Sequence, residues 1–597
     1  MSPRELPTLI ATAVVAVAAI LGGAFFPAPR MVIGAMLAVA LGAACTLVRG
    51  RFAAEEWILA GFVVWGVVSA VAAAAAPLAA RETVVVWLIT LTLWAIGRRA
   101  GEWCSRAGLV VVAAGSVIVA LGVILESVGL GGIRVGGLLE NPNIAAALLV
   151  TSIPALLILD VRKGWQLAAA IVVTAGLVMT GSRAGLLALL VVGVVTLPRG
   201  KVRIFSLVTG GISVAAIFIW RFASQPDIFA WFRPSIWSAV FRIWGSRPFA
   251  GVGPGGLLDA AGVERLLHVD HIGQRQFSIA YAESTPLAIL VQTGLVGLLI
   301  AVIAIVAWWA SLRRRGAASV PMVASLVAMA VMAAFHDFLT ADIVLWWWAV
   351  IIGLMEARTA PEVNEGPQLA ISGRNVARGL LLSYVVLWGV VEPAWARWMW
   401  RSGGAVAELV APTMRAEPWY DTPLDWRSRD ILRRPPWTWR EAAEAVAQSA
   451  RATRIHPGAA KLWTLHGTVH SRLVTDLGPW PESIRASREA FARAVELEPH
   501  QPWAWLEWAR LERNIGEIDR AIELVESGLA AEPHTVRARL FLARLELDRG
   551  SADAAQEAYE LARRSAGLAS RQGLSEYERE LVTAPAWQFL AIEEALR

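Results

Sequence analysis

The chain has 597 residues, 56 % of them hydrophobic and 17 % charged, with a mean hydropathy of +0.55 and a formal charge of +6. Soluble domains carry about 25 % charged residues, so a soluble enzyme is excluded for most of this length. The basic excess falls in short arginine runs between apolar segments, a pattern that marks membrane topology and argues against a nucleic-acid partner.

A spanning helix needs about 20 apolar residues. Such runs cover roughly 7–26, 31–48, 57–76, 82–98, 108–128, 143–160, 164–181, 184–198, 204–221, 284–311, 319–335, 341–356 and 379–398, which predicts about thirteen spans. The run after Arg4 is taken as a retained first helix rather than a cleaved leader, because so many spans follow it. Short loops on one side hold 17 Lys and Arg, among them Arg98, Arg99, Arg313, Arg314 and Arg315. The opposite short loops hold Arg30, Arg81, Arg134 and Arg183. The positive-inside rule puts the first group and the N-terminus in the cytoplasm. The odd span count then leaves the long loop 222–283 and everything past about 399 outside, in the periplasm or the extracellular space. Membrane lipids are the first partner, and Trp57, Trp94, Trp165 and Trp308 flank the runs as interfacial anchors. Cys45 and Cys104 lie near one face and offer neither a disulfide scaffold nor a metal site.

Polar chemistry gathers on the outer side. Arg30 and Arg81 are expected to snorkel to headgroups. Arg134 precedes Glu140-Asn141-Pro142-Asn143, where Asn141 as a cap and Pro142 in the first turn make an equally good helix start. Gly181-Ser182-Arg183 has the composition of a tight turn, which leaves the arginine unexplained. In the external loop, Arg233, Trp237 and Val240 or Phe241 fall on helical spacing and predict an amphipathic interfacial helix that also carries Arg242. Gly251, Gly253, Gly255 and Gly256 follow, a backbone able to approach a bulky ligand. Glu283-Ser284 opens the span 284–311, where the carboxylate is either a dipole partner or a site group.

A Pro-, Trp- and Arg-rich linker (399–440) leads into a tail, 441–597, with a 34-residue period: Glu498-Pro499-His500 recurs as Glu532-Pro533-His534. Trp505, Trp508, Ala509, Gly516, Ala521 and Pro533, and then Leu542, Ala543, Gly550, Ala555, Tyr559 and Ala562, follow a pattern that resembles the tetratricopeptide repeat. An earlier unit starts near Pro457. Small Ala and Gly are expected to let the two helices of each hairpin approach, and the stack predicts a concave face for a protein partner. No phosphate-binding Gly-rich loop, paired-histidine helix or cysteine cluster occurs. Mid-span ionisable residues are rare, which weakens a coupled transporter.

The order Arg134-x-Gly136, Asn141-Pro142-Asn143, Gly181-Ser182-Arg183, Arg233-x-x-x-Trp237, Pro248-x-x-Gly251-x-Gly253, Glu283-Ser284 and Gly294-Leu-Val-Gly297 resembles the O-antigen ligase and O-antigen polymerase superfamily over roughly residues 1–360. The resemblance implies an all-α polytopic bundle of the GT-C kind in a bacterial inner membrane, carrying the tetratricopeptide tail outside. It implies a lipopolysaccharide-type glycosyltransferase that moves a glycan from undecaprenyl diphosphate to an acceptor hydroxyl on glycan, lipid or protein. The diphosphate is already a leaving group, so neither metal nor cofactor is expected. By motif match Arg183 and Arg233 hold the diphosphate, with Arg134 a third, and bidentate guanidinium–phosphate contacts suit that role. Asn141, Asn143, Arg242 and Ser284 are the further substrate-binding candidates. The chain departs from the family at Glu283-Ser284, where His-Asn is usual, and at Gln292, where Glu is frequent. The family histidine is proposed to activate the acceptor. Here a partly desolvated Glu283, a loop histidine (His268 or His271) or no group at this place supplies the base. His336-Asp337 is expected to be structural. A polysaccharide or lipid transporter, or a membrane scaffold displaying the tail, are the alternatives of other classes.

Overall fold

The computed structural model of the chain describes residues 6–21, 53–73, 77–130, 135–139, 141–197, 233–261, 266–269, 272–277, 281–339, 341–359, 438–455, 457–571 and 576–597, with a few single positions between them. The expected spans 31–48, 204–221 and 379–398, most of the linker, and Arg30, Arg134 and His271 lie outside the described residues. The chain forms two compact units, Met1–Gly256 with Tyr281–Arg401, and Leu257–Ala280 with Ser402–Arg597. Among the described residues every regular element except one short hairpin is helical.

The first unit contains α1 (Leu6–Ile20), α2 (Ala54–Ala73), α3 (Pro77–Gly97), α4 (Glu102–Leu130), α5 (Pro142–Leu157), α6 (Lys163–Met179), α7 (Arg183–Thr196), α8 (Arg233–Ser246), α9 (Thr285–Arg314), α10 (Val320–Phe335) and α11 (Asp342–Thr359). By length and composition, three helices among the described residues can cross a membrane: α2, α4 and α9. Six more are apolar but run only 10–17 residues. Of the roughly thirteen expected spans, three are thus met by long apolar helices among the described residues, and three others lie outside those residues. Local caps set where three of the others begin: Asn141, Ser182 and Ser319 each accept a backbone N–H at the start of α5, α7 and α10.

α2 packs against α3 and α9, and α11 against α3. Their ends meet in two clusters. At one, three carboxylates face three guanidinium groups. Arg98 Nη2 lies 2.9 Å from Glu55 Oε1 and 2.8 Å from Glu356 Oε1. Arg99 Nη2 donates to Glu56 Oε2 at 2.6 Å, and Arg315 Nη2 to Glu356 Oε1 at 2.5 Å. Ser311 Oγ donates to Glu55, and Trp308 Nε1 to Glu356. Glu56 and Glu356 are fully buried, so only this neutralisation makes the cluster tolerable. At the opposite end Arg247 donates to Ala73 O (2.5 Å), Ser69 Oγ to Gln292 O (2.9 Å) and Trp65 Nε1 to Thr293 O (2.8 Å). Hence α2 runs from the charged end to this second end, while α3, α9 and α11 run back.

The tail builds helical hairpins from α12 (Trp439–Ile455), α13 (Ala460–Leu477), α14 (Pro481–Leu497), α15 (Pro502–Asn514), α16 (Ile518–Ala531), α17 (Val536–Arg549) and α18 (Ala552–Ala566), closed by the short α19 (Glu576–Val582) and α20 (Ala586–Leu596). Ala509, Ala521, Ala543, Ala555 and Ala562 are wholly buried, as the repeat expects. Gly516 and Gly550 serve differently from expectation. Both adopt φ +89, and a Cβ there would meet nothing, so they end helices in the left-handed conformation instead of permitting close packing. Gly467 is the close-packing glycine, with the Phe491 ring 2.7 Å from where its Cβ would be.

His466 accepts or donates at Ser449 Oγ (2.9 Å) and stacks edge-on against His470. Burial, with the neighbouring His470 adding to it, pushes the His466 pKa down from 6.5 to about 4. The unfolded chain therefore binds the proton first: the contribution is complete above about pH 6.5 and is lost as pH falls towards 4. Acidification from pH 7 to 4.5 is expected to loosen α12–α13 by on the order of 2 kcal/mol, discounted for partial exposure. Amide exchange of these helices in wild type and His466→Asn measures it. An equal acid response in both would remove His466 as the cause.

Candidate functional site

The second end of the first unit is organised around a break in α9. Gly294 takes φ 68 and ψ −173 inside the helix, and a Cβ there would lie 2.1 Å from Phe249 O. The turn after α8 fills the break: Leu295 N–H donates to Pro248 O, Gly253 N–H to Gln292 O and Gly255 N–H to the Gln292 side-chain oxygen. Gly251 has φ 73, and a Cβ there would stand 2.6 Å from the Gln292 backbone. These glycines spend their freedom on approaching α9, which corrects the expectation that they approach a ligand. Gln292 is likewise engaged with the turn. Gly251→Ala is expected to cost about 2–3 kcal/mol through left-handed strain and overlap. A denaturation midpoint shifted by less than about 1 kcal/mol equivalent would contradict this packing.

The turn places α8, and α8 places Arg233 in its first turn. Arg233 Nε lies 3.5 Å from Glu283 Oε2. The same carboxylate oxygen lies 4.0 Å from His336 Nδ1, on a side chain 8 % exposed. Glu283 is the one non-glycine residue with positive φ (52°) among the described residues. That conformation costs an L-residue free energy and is retained where surroundings enforce it. Here they do so on both sides: Ala282 N–H points to Asp337 Oδ2 (3.4 Å), and Thr285 Oγ1 donates to His336 O and accepts from Phe338 N–H. The segment 336–338, expected to be structural, therefore frames the carboxylate. The sequence signal for it was an adjacent His-Asp immediately after an apolar helix, on the side expected to lie outside.

The other expected residues divide. Asn141 is a helix cap, its Oδ1 accepting from Asn143 N–H at 2.9 Å and Ile144 N–H at 3.4 Å. Asn143 is half-buried in the first turn of α5. Ser284 precedes α9, buried, without a side-chain cap bond. Arg242 donates to Ser238 Oγ on the exposed face of α8. Arg183 is the first residue of α7, half-buried, after the left-handed Gly181; α7 packs along α10, whose end carries His336. Arg134 and His271 lie outside the described residues, and of His268 only the backbone is described. Arg247 was not anticipated, whereas Trp237 was expected on the same helix: its Nε1, one turn after Arg233, is buried without a hydrogen-bond partner among the described residues.

Between α2, α3, α9, α10 and α11 lies a cavity of about 300 Å³ lined by Phe62, Trp87, Trp94, Trp308, Leu339 and Trp348 with other apolar side chains. Its one hydroxyl, on Thr90, is spent on Val86 O. Leu339 puts one wall two residues from Asp337, and Trp87 Nε1 donates to Leu339 O. The lining suits a hydrocarbon chain, and its polar groups include the indole N–H of Trp94 and of Trp348, each buried without a hydrogen-bond partner among the described residues.

Residues 502–545 match the family model described as Tetratricopeptide repeat, and the tail is a tetratricopeptide-repeat domain. No curated protein matches the chain. Among solved structures, the MamA protein aligns at 15 % identity over 31 % of this chain and 95 % of that one, with a TM-score of 0.24. Yeast Tom70 aligns at 10 % identity over 82 % of this chain and 92 % of that one, with a TM-score of 0.18. Alignments at these scores carry no argument about function.

Proposed function

We propose that the chain is a membrane glycosyltransferase of the O-antigen ligase/polymerase type, acting on the outer face of a bacterial inner membrane through a bundle of up to thirteen spans. The observation that carries this reading is the convergence of Arg233, Glu283 and His336 on one carboxylate oxygen, at a strained backbone position. A cation for the donor and a proton acceptor for the acceptor are the two groups that direct displacement needs. The acceptor oxygen attacks the anomeric carbon and the bond to the diphosphate breaks with inversion. The hydroxyl proton goes to the Glu283–His336 pair, and the electron pair leaves with undecaprenyl diphosphate. Arg233, with Arg183 and Arg134 as expected from the motifs, stabilises the charge growing on that diphosphate. In the resting site Arg233 faces Glu283. A bound diphosphate draws the guanidinium to itself and frees the carboxylate to accept a proton, so donor binding arms the base.

The apolar cavity beside the site supports a lipid-linked donor. It also disfavours an ion-coupled transporter. The tetratricopeptide tail adds a protein partner to the reading, since such domains bind proteins. The test is glycan transfer by the purified full chain in nanodiscs from an undecaprenyl-diphosphate oligosaccharide, with EDTA and no nucleotide. Carrier-linked glycan, lipid A core and hydroxyl-bearing protein are offered as acceptors. Transfer with inversion is expected to one of them. Carrier binding with no transfer to any of the three overturns the reading in favour of a transporter or scaffold.

A further inference from the structure

We infer that the closing end of the tetratricopeptide tail is a receptor for the chain's own external loop, and that this clasp keeps that end of the repeat stack closed to an outside partner. The loop leaves the first unit after Gly256 and re-enters it at Tyr281, while its intervening residues 257–280 belong to one compact unit with the tail. Within it, β1 (Leu266–Val269) and β2 (Gln274–Phe277) pair antiparallel, Val269 opposite Gln274, which puts Ile272 and Gly273 at the tip. The tip is what the tail grips. Ile272 N–H donates to Glu578 Oε1 at 2.9 Å, and Glu578 is only 1 % exposed. The Ile272 side chain packs on the core formed by Val536, Leu540, Tyr559 and Leu581. Gly273 is buried so closely that a Cβ would stand 2.8 Å from Leu581 Cδ1 and 3.4 Å from the Tyr577 ring. That ring is itself held, its hydroxyl donating to the buried Glu532 at 2.8 Å.

A two-stranded hairpin is marginal in water by itself. This one has a tip whose amide, side chain and missing side chain are each matched by the tail. The occupant of this end of the solenoid is therefore the loop, and an outside partner is left the remaining surface of the repeats. Both feet of the loop are pinned in the first unit, Gly253 and Gly255 by Gln292, and Ala282 by Asp337.

Hydrogen exchange on the full chain in nanodiscs tests this without reference to the reaction. Glu578→Ala, and Gly273→Leu outside the tail, are expected to speed exchange at Ile272 about tenfold or more. Glu578→Gln keeps the acceptor and is expected to stay near wild type. Unchanged exchange at Ile272 in Gly273→Leu, which leaves every tail residue in place, overturns the clasp. A failure of glycan transfer would leave both outcomes standing, so the two readings are separable.

Discussion

Arg233→Ala is expected to lower glycan transfer by about 10²–10³-fold, the loss seen when one group aimed at developing transition-state charge is removed. The reason is geometric. Arg233 is anchored in the first turn of α8, and α8 is anchored by the turn that fills the α9 break. Its guanidinium is therefore presented with little freedom to lose. Arg233→Lys keeps the charge but not the planar fork, and is expected to recover only part of the rate. Glu283→Gln is expected to cost about 10²–10⁴-fold while leaving donor binding nearly intact, because the proton acceptor goes but the diphosphate contacts stay. His336→Ala is expected to fall between them. Titrating carrier binding alongside single-turnover rates separates the effects: Arg233 variants weaken both, and Glu283→Gln weakens the rate alone. Full turnover in Glu283→Gln would remove it as the base and leave as alternatives His336, a histidine of the loop 222–283, or no group at this place.

Glu356→Ala is expected to be the most destabilising single change in the first unit, by about 3–5 kcal/mol. Glu356 is fully buried and accepts from Arg98, Arg315 and Trp308, so its loss leaves Arg98 and Arg315 to share Glu55 and one positive charge in the cluster uncompensated. The Arg98 side chain has nowhere to go: it is 4 % exposed and lies 4.7 Å over the Trp94 ring. Replacing Arg98 as well, with Met, is expected to return part of the loss, since the remaining Glu55, Glu56, Arg99 and Arg315 again balance. Unfolding in mixed micelles, followed by tryptophan fluorescence, measures both variants. A loss below about 1 kcal/mol for Glu356→Ala would mean that the cluster is wet and weakly coupled.

The helical character and the repeat were legible because each is written in local residue spacing: apolar runs for the first unit, the recurrence of Glu-Pro-His and buried alanines for the tail. Helix starts were legible too, and Asn141 proves to be the cap that its position after Glu140 suggested. What spacing does not carry is pairing across the chain. Arg98 and Arg315 counted as topology charges, yet they face carboxylates 43 and 41 residues away or further. Gly251 and Gly253 had the composition of a ligand-binding turn, but the surface they approach is α9, whose break at Gly294 no periodicity announces. His336 was set aside because nothing in its neighbourhood of sequence points to Glu283, 53 positions earlier. That partnership follows from the return of α10 to the end where α9 starts.

The break at Gly294 also changes how α9 measures the bilayer. Thirty residues of continuous helix would extend about 45 Å, half as long again as a hydrocarbon layer of about 30 Å. Divided at Gly294, the helix becomes a lower rod of about 20 residues, or about 30 Å, and an upper stub of about 14 Å. In the membrane reading the rod alone matches the lipid thickness, so changes in bilayer thickness act on its tilt. The stub that begins beside Glu283 is mechanically separate and takes its orientation from the turn at 248–255. A thicker or thinner membrane can then reorient the rod while the distance from Glu283 to Arg233 stays the same.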